Sequence, residues 1–323
     1  MSEVLVLVDK APQVDGGVRK ASLELLTLAR RIGEPSAVVF GGADDAVVAT
    51  LGSYGAAKVY AVAGDDADQF LSLPKAEALV DIAQRVSPAA VLVTSGPEGK
   101  DVAARVAVRL DAGIITDATD LVAGDGGVTA KQSVFSGTWV ATSQVTRGAA
   151  VVTVRPNSLT PETSPATPTV ETVEVALSDA ARGARVTERS PRQSSGRPAL
   201  TDAAVVVTGG RGVGSPEGFE VIGRVADALS GAVGATRAVT DLDWADHDLQ
   251  VGQTGKTVAP NLYLAAGVSG AIQHRAGMQS SKTVVAVNKD AKAPIFEVSD
   301  FGVVGDLHAV LPALLDEISR RRG

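Results

Sequence analysis

The sequence predicts an α/β protein with two doubly wound parallel-sheet domains, and three observations carry this prediction. The chain has 323 residues, a length that suits about two domains. Hydrophobic residues make up 45% of it but aromatic residues only 3%, so small aliphatic side chains supply most of the apolar mass, as in parallel sheets covered on both faces. Short β-branched runs alternate with segments of helical periodicity. That alternation is typical of Rossmann-like sheets.

The first half of the chain shows this alternation from its first residues. We predict strands and helices in turn at residues 4–8, 17–32, 37–40, 43–51, 58–62, 75–86, 89–94 and 100–110. The pattern changes between residues 114 and 154, where Gly-rich breaks separate alternating runs such as SVFSGTWVATSQV and GAAVVTVRP. These runs predict antiparallel strands appended to the first sheet. Residues 170–176 follow closely spaced prolines and predict an edge strand.

A polar segment divides the chain. Residues 180–198 contain five arginines and two prolines, which predicts an inter-domain linker at 181–198. The N-terminal domain is then residues 1–180, and the C-terminal domain is residues 199–323. In the second domain we predict strands at residues 203–208, 236–239, 262–266, 283–288 and 295–298, and helices at 216–230, 270–277 and 307–321. The linker arginines suit a solvated segment better than a docking surface for a partner, although both interpretations are open.

Composition excludes several classes of function. The net charge of −7 argues against a general nucleic-acid binder. The absence of cysteine excludes disulfides, thiol catalysis, thiolate zinc sites and cysteine-ligated iron–sulfur clusters, so redox chemistry would need a bound cofactor. Three histidines do not suggest a metal cluster. The N-terminal MSEVLVLVDK predicts a first strand rather than a signal peptide, and no apolar run reaches about 18 residues, so we expect a cytoplasmic protein.

Polar, Gly-rich loops follow the predicted strands of the second domain. The first has the sequence GGRGVGSP at residues 209–216, between a strand and a helix. Ser215 and Pro216 suit the N-cap and the first position of that helix. The glycines would let the backbone approach an anion, and Arg211 would pair with a phosphate. A tight structural turn explains the same glycines equally well, and the loop lacks the lysine of a P-loop.

The next two loops carry side chains suited to a cofactor. Arg237 lies in the triplet TRA, near the start of the predicted strand at 236–239, where an arginine is usually a solvated surface charge. It gains interest because loops at strand ends build the site in a doubly wound sheet. Gln253 and Thr254 stand between two glycines and offer donors and acceptors to a heteroaromatic ring. An ordinary polar turn is the alternative.

Three further elements complete the set. Residues 267–274 follow a strand and open a helix, with Ser269 as its expected cap and Gly270 and Ala271 leaving the helix start bare for a pyrophosphate. Asn288 ends a strand and would contact a diphosphate or ribityl chain, or form a turn. Asp306 would cap the last helix or accept a hydrogen bond from a ribose. Each signal is weak alone, but their joint occurrence after predicted strands favours a phosphate-bearing cofactor.

The order of residues in this region closely resembles that of the alpha subunit of electron-transfer flavoproteins. The similarity rests on VGQTGKTVAPNLYLAAGVSGAIQHRAGM, followed by AVNKDAKAPIFEVSDFGVVGDL. The GGRGVG loop and the TRA triplet fall where that family has its cofactor arginines. The VLVLVD start and the GKDVAARVAVRL helix are similar as well. The resemblance therefore spans nearly the whole chain, without the inserted iron–sulfur module that some relatives carry.

The resemblance implies that the C-terminal domain binds FAD. The residues expected to contact the cofactor are Arg211, Thr236, Arg237, Val251, Gly252, Gln253, Thr254, Ser269, Gly270, Ala271, Ile272, Gln273, His274, Asn288, Asp306 and Leu307. Arg237 is expected over the isoalloxazine ring, where a fixed cation would raise the flavin potential because reduction adds negative charge. Thr254 or Gln253 is expected to hydrogen-bond near flavin N5, and His274 to donate a hydrogen bond near O2.

The resemblance also implies an electron carrier rather than an enzyme with its own substrate. The family is a heterodimer with one FAD, held mostly by the alpha subunit, and with AMP in the beta subunit. The pair takes electrons from acyl-CoA and other flavin dehydrogenases, as in fatty acid β-oxidation, and passes them to a membrane quinone oxidoreductase. No catalytic residue and no metal ligand are then expected in this chain.

Three other interpretations stay open at this point. A nucleotide- or NAD-binding α/β enzyme would share the fold, although the sequence shows no Ser-His-Asp set and no Gly-x-Ser-x-Gly elbow. A nucleotide-binding regulatory module would follow from the first domain alone. An electron-bifurcating or nitrogen-fixation-linked variant of the family would need a second FAD in the beta subunit.

Overall fold

A mixed sheet organises the first half of the chain. The computed structural model describes residues 2–11, 16–64, 69–124, 126–135, 139–188 and 196–322. In these residues the strands are β1 Glu3–Leu7, β2 Glu34–Phe40, β3 Lys58–Ala63, β4 Ala90–Thr94, β5 Ile114–Gly124, β6 Gly127–Val134, β7 Trp139–Gln144, β8 Ala150–Val154 and β9 Thr169–Glu174. The helices are α1 Lys20–Ile32, α2 Asp45–Ser53, α3 Leu73–Val86 and α4 Pro97–Arg109. The strand order across the sheet is β7-β6-β5-β8-β4-β1-β2-β3-β9.

The apolar strands form because both of their faces are buried. Val4 and Val6 of β1 belong to one core cluster, and Leu5 and Leu7 to another. Successive side chains of a strand alternate between the faces, so a strand covered on both sides is a continuous apolar run in sequence. β1 pairs in parallel with β2 and β4. The order β3-β2-β1-β4-β8 is that of a Rossmann-like sheet.

The antiparallel extension is confirmed, with one exception. β6 pairs in antiparallel with both β5 and β7, although residues 136–138 of the SVFSGTWVATSQV run lie outside the described residues. β8 instead lies between β5 and β4 and runs parallel to both, so the antiparallel prediction for GAAVVTVRP was wrong. All five side chains of β8 are buried, as in a central strand. β9 pairs with β3 at the end of the sheet, as predicted for an edge strand.

The second half of the chain forms a separate, wholly parallel sheet. Its described strands are β10 Val205–Gly209, β11 Ala232–Ala235, β12 Leu262–Ala266, β13 Val284–Asn288 and β14 Phe301–Val304. Its described helices are α5 Pro216–Ala228, α6 Arg237–Thr240, α7 Ile272–Met278 and α8 Leu307–Arg322. The strand order is β11-β10-β12-β13-β14. None of the helices in the described ranges has the length and apolar character that crossing a membrane requires.

Two strands of the second sheet lie away from their predicted positions. β11 ends at Ala235, and residues 237–240 are helical, so the strand predicted at 236–239 was wrong. The run AVGA is wholly buried while Arg237 is exposed, which places the strand in the apolar run before it. The strand predicted at 295–298 was also wrong, because Pro294–Val298 is a 3-10 helix and the strand follows as β14. All four residues of β14 are exposed, so it lacks the apolar signal of a core strand.

The described chain divides into two compact units, the first within residues 2–188 and the second within residues 196–322, with Phe135 grouped with the second. Residues 189–195 of the predicted linker lie outside the described residues. On one side of them, the Val186 amide donates to the carbonyl oxygen of Gln69 at 2.6 Å. On the other side, the Arg197 guanidinium pairs with Asp227 of α5 at 2.6 Å. The described ends of this segment are therefore each tied to the unit that they adjoin.

Candidate functional site

The loops singled out by the sequence meet at one edge of the second sheet. All of its strand pairs are parallel, so the carboxyl ends of its five strands lie together. Counted in chain order the arrangement is 2-1-3-4-5, and the order reverses between β10 and β12. Ligands of doubly wound sheets bind in the crevice at this reversal. The Gly-rich loops at residues 210–215 and 267–271 follow those two strands.

The glycines of the first loop serve its packing against the second loop. The Gly210 amide donates to the carbonyl of Ala266 at 2.9 Å, and the Gly212 amide to that of Gly267 at 3.0 Å. A Cβ on Gly210 would overlap the Gly267 carbonyl oxygen, and one on Gly212 would lie 2.7 Å from Gly267 Cα. The tight-turn interpretation of these glycines is therefore confirmed. Arg211, in contrast, is exposed, and its side chain forms no hydrogen bond or ion pair within the described residues.

The start of α5 follows the predicted capping pattern. The Ser215 hydroxyl accepts a hydrogen bond from the Gly218 amide at 3.1 Å, and Pro216 is the first helical residue. Gly214 has φ +84°, a conformation that L side chains rarely adopt. These contacts fix the loop, and the loop holds Arg211 beside the crevice where the strand order reverses between β10 and β12.

β11 ends directly at a hydroxyl and a cation. Thr236 is the N-cap of α6, but its side chain caps no amide, and its buried Oγ1 has no hydrogen-bond partner in the described part of the chain. Arg237 follows with its side chain 63% exposed, and its Nε lies 3.3 Å from Asp241. An exposed ion pair of this kind contributes little to stability. A buried hydroxyl without a partner costs free energy unless a ligand satisfies it.

A turn at residues 250–256 extends the site beside β11. The Val251 amide donates to the Ala235 carbonyl at 2.9 Å, and the Gln253 amide to the Gln273 carbonyl at 2.8 Å. Thr254 is exposed on this turn, and its Oγ1 accepts a hydrogen bond from Gln250 Nε2 at 3.0 Å. Sequence reasoning missed Gln250, whose side chain gives no local signal beyond its place before the VGQTG motif.

His274 lies in the core of the site rather than at its surface. It is 6% exposed, with Nδ1 3.0 Å from the Val251 carbonyl oxygen and Nε2 2.9 Å from the Tyr263 hydroxyl. Burial lowers the pKa of His274 from 6.5 to about 4 and raises the pKa of Tyr263. The neutral ring therefore donates from Nδ1 to the carbonyl and accepts at Nε2 from the tyrosine.

Both ring nitrogens of His274 have partners within the protein in this structure. The expected hydrogen bond from His274 to flavin O2 stays a prediction, and it would require the ring to exchange one of these partners. The ring ties the backbone of Val251 to β12, because Tyr263 lies on that strand. Tyr263 was missed at the level of sequence, although a single tyrosine in the aliphatic run LYLAA was an available signal.

The start of α7 is not capped as predicted. Ala271, not Ser269, is the N-cap residue, and no side chain caps this end. The Ser269 carbonyl accepts a hydrogen bond from the Ile295 amide at 3.0 Å. Gly270 has φ +84°, and a Cβ there would overlap the Ile295 backbone nitrogen. The 3-10 helix Pro294–Val298, where a strand was predicted, therefore packs against this loop and supports it.

Asn288 and Asp306 both hold backbone in place. Asn288 Nδ2 donates to the Val268 carbonyl at 2.8 Å, which fixes the loop after β12. Asp306 accepts a hydrogen bond from the His308 amide at 2.8 Å, so the helix-capping interpretation is confirmed. Leu307 is buried in the core of the unit.

The structure sorts the expected cofactor residues by exposure. The exposed ones are Arg211, Arg237, Gln253, Thr254, Ser269, Ile272, Gln273 and Asp306. The half-buried ones are Thr236, Ala271 and Asn288, and the buried ones are Val251, Gly252, Gly270, His274 and Leu307. Within the described ranges no cluster of three or more His, Asp or Glu residues suits a metal ion. Except for the aliphatic Ile272, the exposed members are polar side chains on loops or at helix starts, as a large polar cofactor requires.

Comparison with known proteins assigns both halves of the chain. Residues 4–179 match the family described as "Electron transfer flavoprotein domain", and residues 199–279 match the "Electron transfer flavoprotein FAD-binding domain". The chain is 47% identical over 326 residues to the electron transfer flavoprotein subunit alpha of Mycobacterium leprae, with 100% of both chains covered. The chain belongs to the electron transfer flavoprotein alpha subunit family. The resemblance drawn from the sequence is confirmed.

Other alpha subunits of electron transfer flavoproteins are similar over almost their full length. That of Syntrophomonas wolfei is 41% identical over 309 residues, covering 95% of this chain and 97% of the relative. That of Bacillus subtilis is 34% identical over 311 residues, covering 95% of each. The FAD-binding match ends at residue 279, whereas the full-length relatives also cover Asn288, Asp306 and Leu307, whose expected roles stay predictions.

Proposed function

We propose that the carboxyl edge of the second sheet binds FAD and that the chain carries electrons through it. The observation that carries this proposal is the pair of exposed guanidinium groups at neighbouring strand ends. Arg211 follows β10 and Arg237 follows β11, and these strands pair directly. Directly before Arg237, the Thr236 hydroxyl is buried without a partner among the described residues. Two cations and an unsatisfied hydroxyl suit an anionic, polar cofactor.

The side chains at this edge suit different parts of the cofactor because of their different chemistry. Arg211, on the loop at the strand-order reversal, suits the diphosphate, because guanidinium groups bind phosphate oxygens through paired hydrogen bonds. Arg237 and Thr254 suit the isoalloxazine ring as a fixed cation and a hydroxyl on an anchored turn. Ser269 and Gln273 add exposed polar groups beside the loop after β12. The bound flavin would supply the one- and two-electron chemistry.

The side chains at this edge fit a carrier without its own substrate turnover. A histidine acts as a general base or acid through a ring nitrogen that is free to exchange a proton with the reactant. Both ring nitrogens of His274 are engaged, and His308 Nε2 lies 3.1 Å from the Val213 carbonyl oxygen. Binding, orientation and electrostatics are therefore what these residues contribute.

The partners of the chain follow from its family. We infer a heterodimer with a beta subunit, one FAD per heterodimer at the site described, and AMP in the beta subunit. Acyl-CoA and other flavin dehydrogenases would be the electron donors, and a membrane quinone oxidoreductase the acceptor. Support comes from the relatives, which are named as alpha subunits and match along nearly their whole length.

The first experiment is a visible spectrum and flavin count of the chain co-expressed with its beta subunit. We expect flavin absorption bands, one FAD per heterodimer, and bleaching on stepwise dithionite reduction. Reoxidation by a flavin acceptor protein without consumption of any further substrate would support the carrier role. A colourless heterodimer would contradict the proposal, and two FAD per heterodimer would point to the bifurcating variant of the family.

Replacing Arg237 by glutamine should lower the reduction potential of the bound FAD. Reduction adds negative charge, which the guanidinium stabilises by about 1 to 2 kcal/mol at an exposed site, or about 20 to 40 mV for a two-electron couple. Arg237→Lys should retain most of the potential because it retains the charge. Stability should change by less than about 0.5 kcal/mol, since the Asp241 pair is exposed. The measurement is a redox titration against a reference dye.

The control for this prediction is Arg224→Gln, which removes an equivalent charge from the exposed face of α5. It should leave the potential unchanged. Equal shifts in the Arg237 and Arg224 variants would show that only the net charge of the protein matters, and that Arg237 has no special place at the flavin.

A further inference from the structure

We propose that Gln250 is a positioning residue that turns the Thr254 hydroxyl into a hydrogen-bond donor toward the cofactor, an inference that rests on the FAD site proposed above. Gln250 is 7% exposed. Its Nε2 lies 3.0 Å from Thr254 Oγ1, and its Oε1 lies 3.0 Å from Thr240 Oγ1. A buried amide is retained where both of its ends are satisfied. Here the amide bridges the exposed turn and the helix that begins with Arg237.

Backbone hydrogen bonds around Gln250 hold its side-chain amide in place. Its carbonyl oxygen accepts a hydrogen bond from the Lys256 amide at 2.7 Å, and the following Val251 amide donates to Ala235. A Cβ on Gly255 would overlap the Gln250 carbonyl oxygen, so the turn is closed tightly over it. The Gln250 side chain is therefore attached to backbone that is fixed between β11 and the exposed tip of the turn.

The network continues into α6. Thr240 Oγ1 lies 3.0 Å from the Arg237 carbonyl oxygen as well as from Gln250 Oε1, so its single proton is shared by two acceptors. One chain of hydrogen bonds therefore joins the helical turn of Arg237 to the hydroxyl of Thr254. The two groups that we place at the isoalloxazine ring are held relative to each other by one buried amide.

The direction of the bond to Thr254 decides its chemistry. Gln250 Nε2 has only protons to give, so Thr254 Oγ1 accepts, and the one hydroxyl proton of Thr254 is left to point outward. Thr254 is exposed, so that proton faces the site. An oxidised flavin ring offers unprotonated nitrogen and oxygen acceptors, whereas full reduction protonates ring nitrogen. A hydroxyl fixed as a donor therefore favours the oxidised cofactor over the protonated, reduced one.

The test is a double-mutant cycle on the holo-heterodimer, with the ratio of FAD dissociation constants in the oxidised and reduced states as its readout. Thr254→Val should weaken oxidised FAD about fivefold relative to reduced FAD, the effect of one hydrogen bond, or about 20 mV for a two-electron couple. Thr254→Ser should restore the wild-type ratio. In a Gln250→Met background, Thr254→Val should change the ratio less than about twofold, because the hydroxyl has lost its orientation.

A second substitution at Gln250 provides an independent test if Gln250→Met fails to fold. Gln250→Glu keeps the shape of the side chain, and above the pKa of the carboxyl it only accepts, so it turns the Thr254 proton inward, and Thr254→Val should again have little further effect. Gln279→Met, at the end of α7, is the control and should leave the full effect of Thr254→Val in place. Independent, additive effects of the Gln250 and Thr254 substitutions would overturn the inference. A wild-type heterodimer without FAD would instead refute the proposed function before any variant is compared.

Discussion

Replacing Gly210 by alanine is expected to destabilise the second unit by about 3 kcal/mol and to abolish FAD binding. The added methyl group would overlap the carbonyl oxygen of Gly267 and lie 2.6 Å from Val268 Cα. Both are backbone atoms, so no side chain can swing aside. The φ of Gly210 is −99°, which alanine tolerates, and the whole effect is therefore steric. Relief requires parting the two loops at the strand-order reversal, where the hydrogen bond from Gly210 to Ala266 would break.

Urea denaturation measures this loss of stability in the unit concerned. Trp244 packs against the core of the second unit, so its fluorescence reports that unit once Trp139 is replaced by phenylalanine. Gly305→Ala is the matched control, because the nearest atom to its Cβ is a terminal methyl of Val310 at 3.3 Å. It should cost less than about 1 kcal/mol. Equal losses in the two variants would show that the loop contact at Gly210 is not tight.

Much of this fold follows from sequence because its central strands are buried on both faces. Runs such as Val4 to Leu7 have apolar side chains on either side of the sheet, and that pattern is local. β11 was misplaced because residues 236–239 continue the apolar run AVGA in sequence, and only the tertiary structure shows that the strand ends at Ala235 and that Arg237 and Ala238 are exposed. β14 was misplaced because an exposed edge strand has no burial pattern to detect. β8 was misassigned because direction within a sheet depends on partners far away in sequence.

The site was predictable as a set of loops but not as a network. Loops rich in Gly, Ser and Asn between a strand and a helix indicate the carboxyl edge of a parallel sheet. The loops that the sequence predicts as the site all lie at that edge of the second sheet. The roles of single residues depend on partners that the sequence does not reveal. Gln250 meets Thr240 ten positions away, and His274 meets Tyr263 eleven positions away and Val251 twenty-three. A histidine beside a proposed cofactor therefore looks like a donor to it until its other partners are known.

The buried histidine makes the second unit sensitive to acid. In the folded chain the pKa of His274 is about 4, lowered by burial from 6.5. Between these two pH values the unfolded chain binds a proton at this position that the folded chain does not. The contribution of the His274 ring to the free energy of unfolding is therefore fully present above about pH 6.5 and is lost as the pH drops toward 4. The difference in pKa corresponds to about 3 kcal/mol at most, a large part of the stability of an ordinary domain.

Urea denaturation of the second unit at pH 7.5, 6, 5 and 4 should show this loss, with Trp244 as the reporter. His274→Gln keeps a donor and an acceptor but cannot take up a proton in this range, so its stability should vary with pH by about 3 kcal/mol less than that of the wild type. Carboxylates titrate in both proteins and cancel in the difference. His247→Gln, which removes an exposed histidine, should leave the wild-type pH dependence unchanged. Parallel pH curves for wild type and His274→Gln would contradict this prediction, because they would mean that the ring takes up a proton over the same pH range in the folded and the unfolded chain.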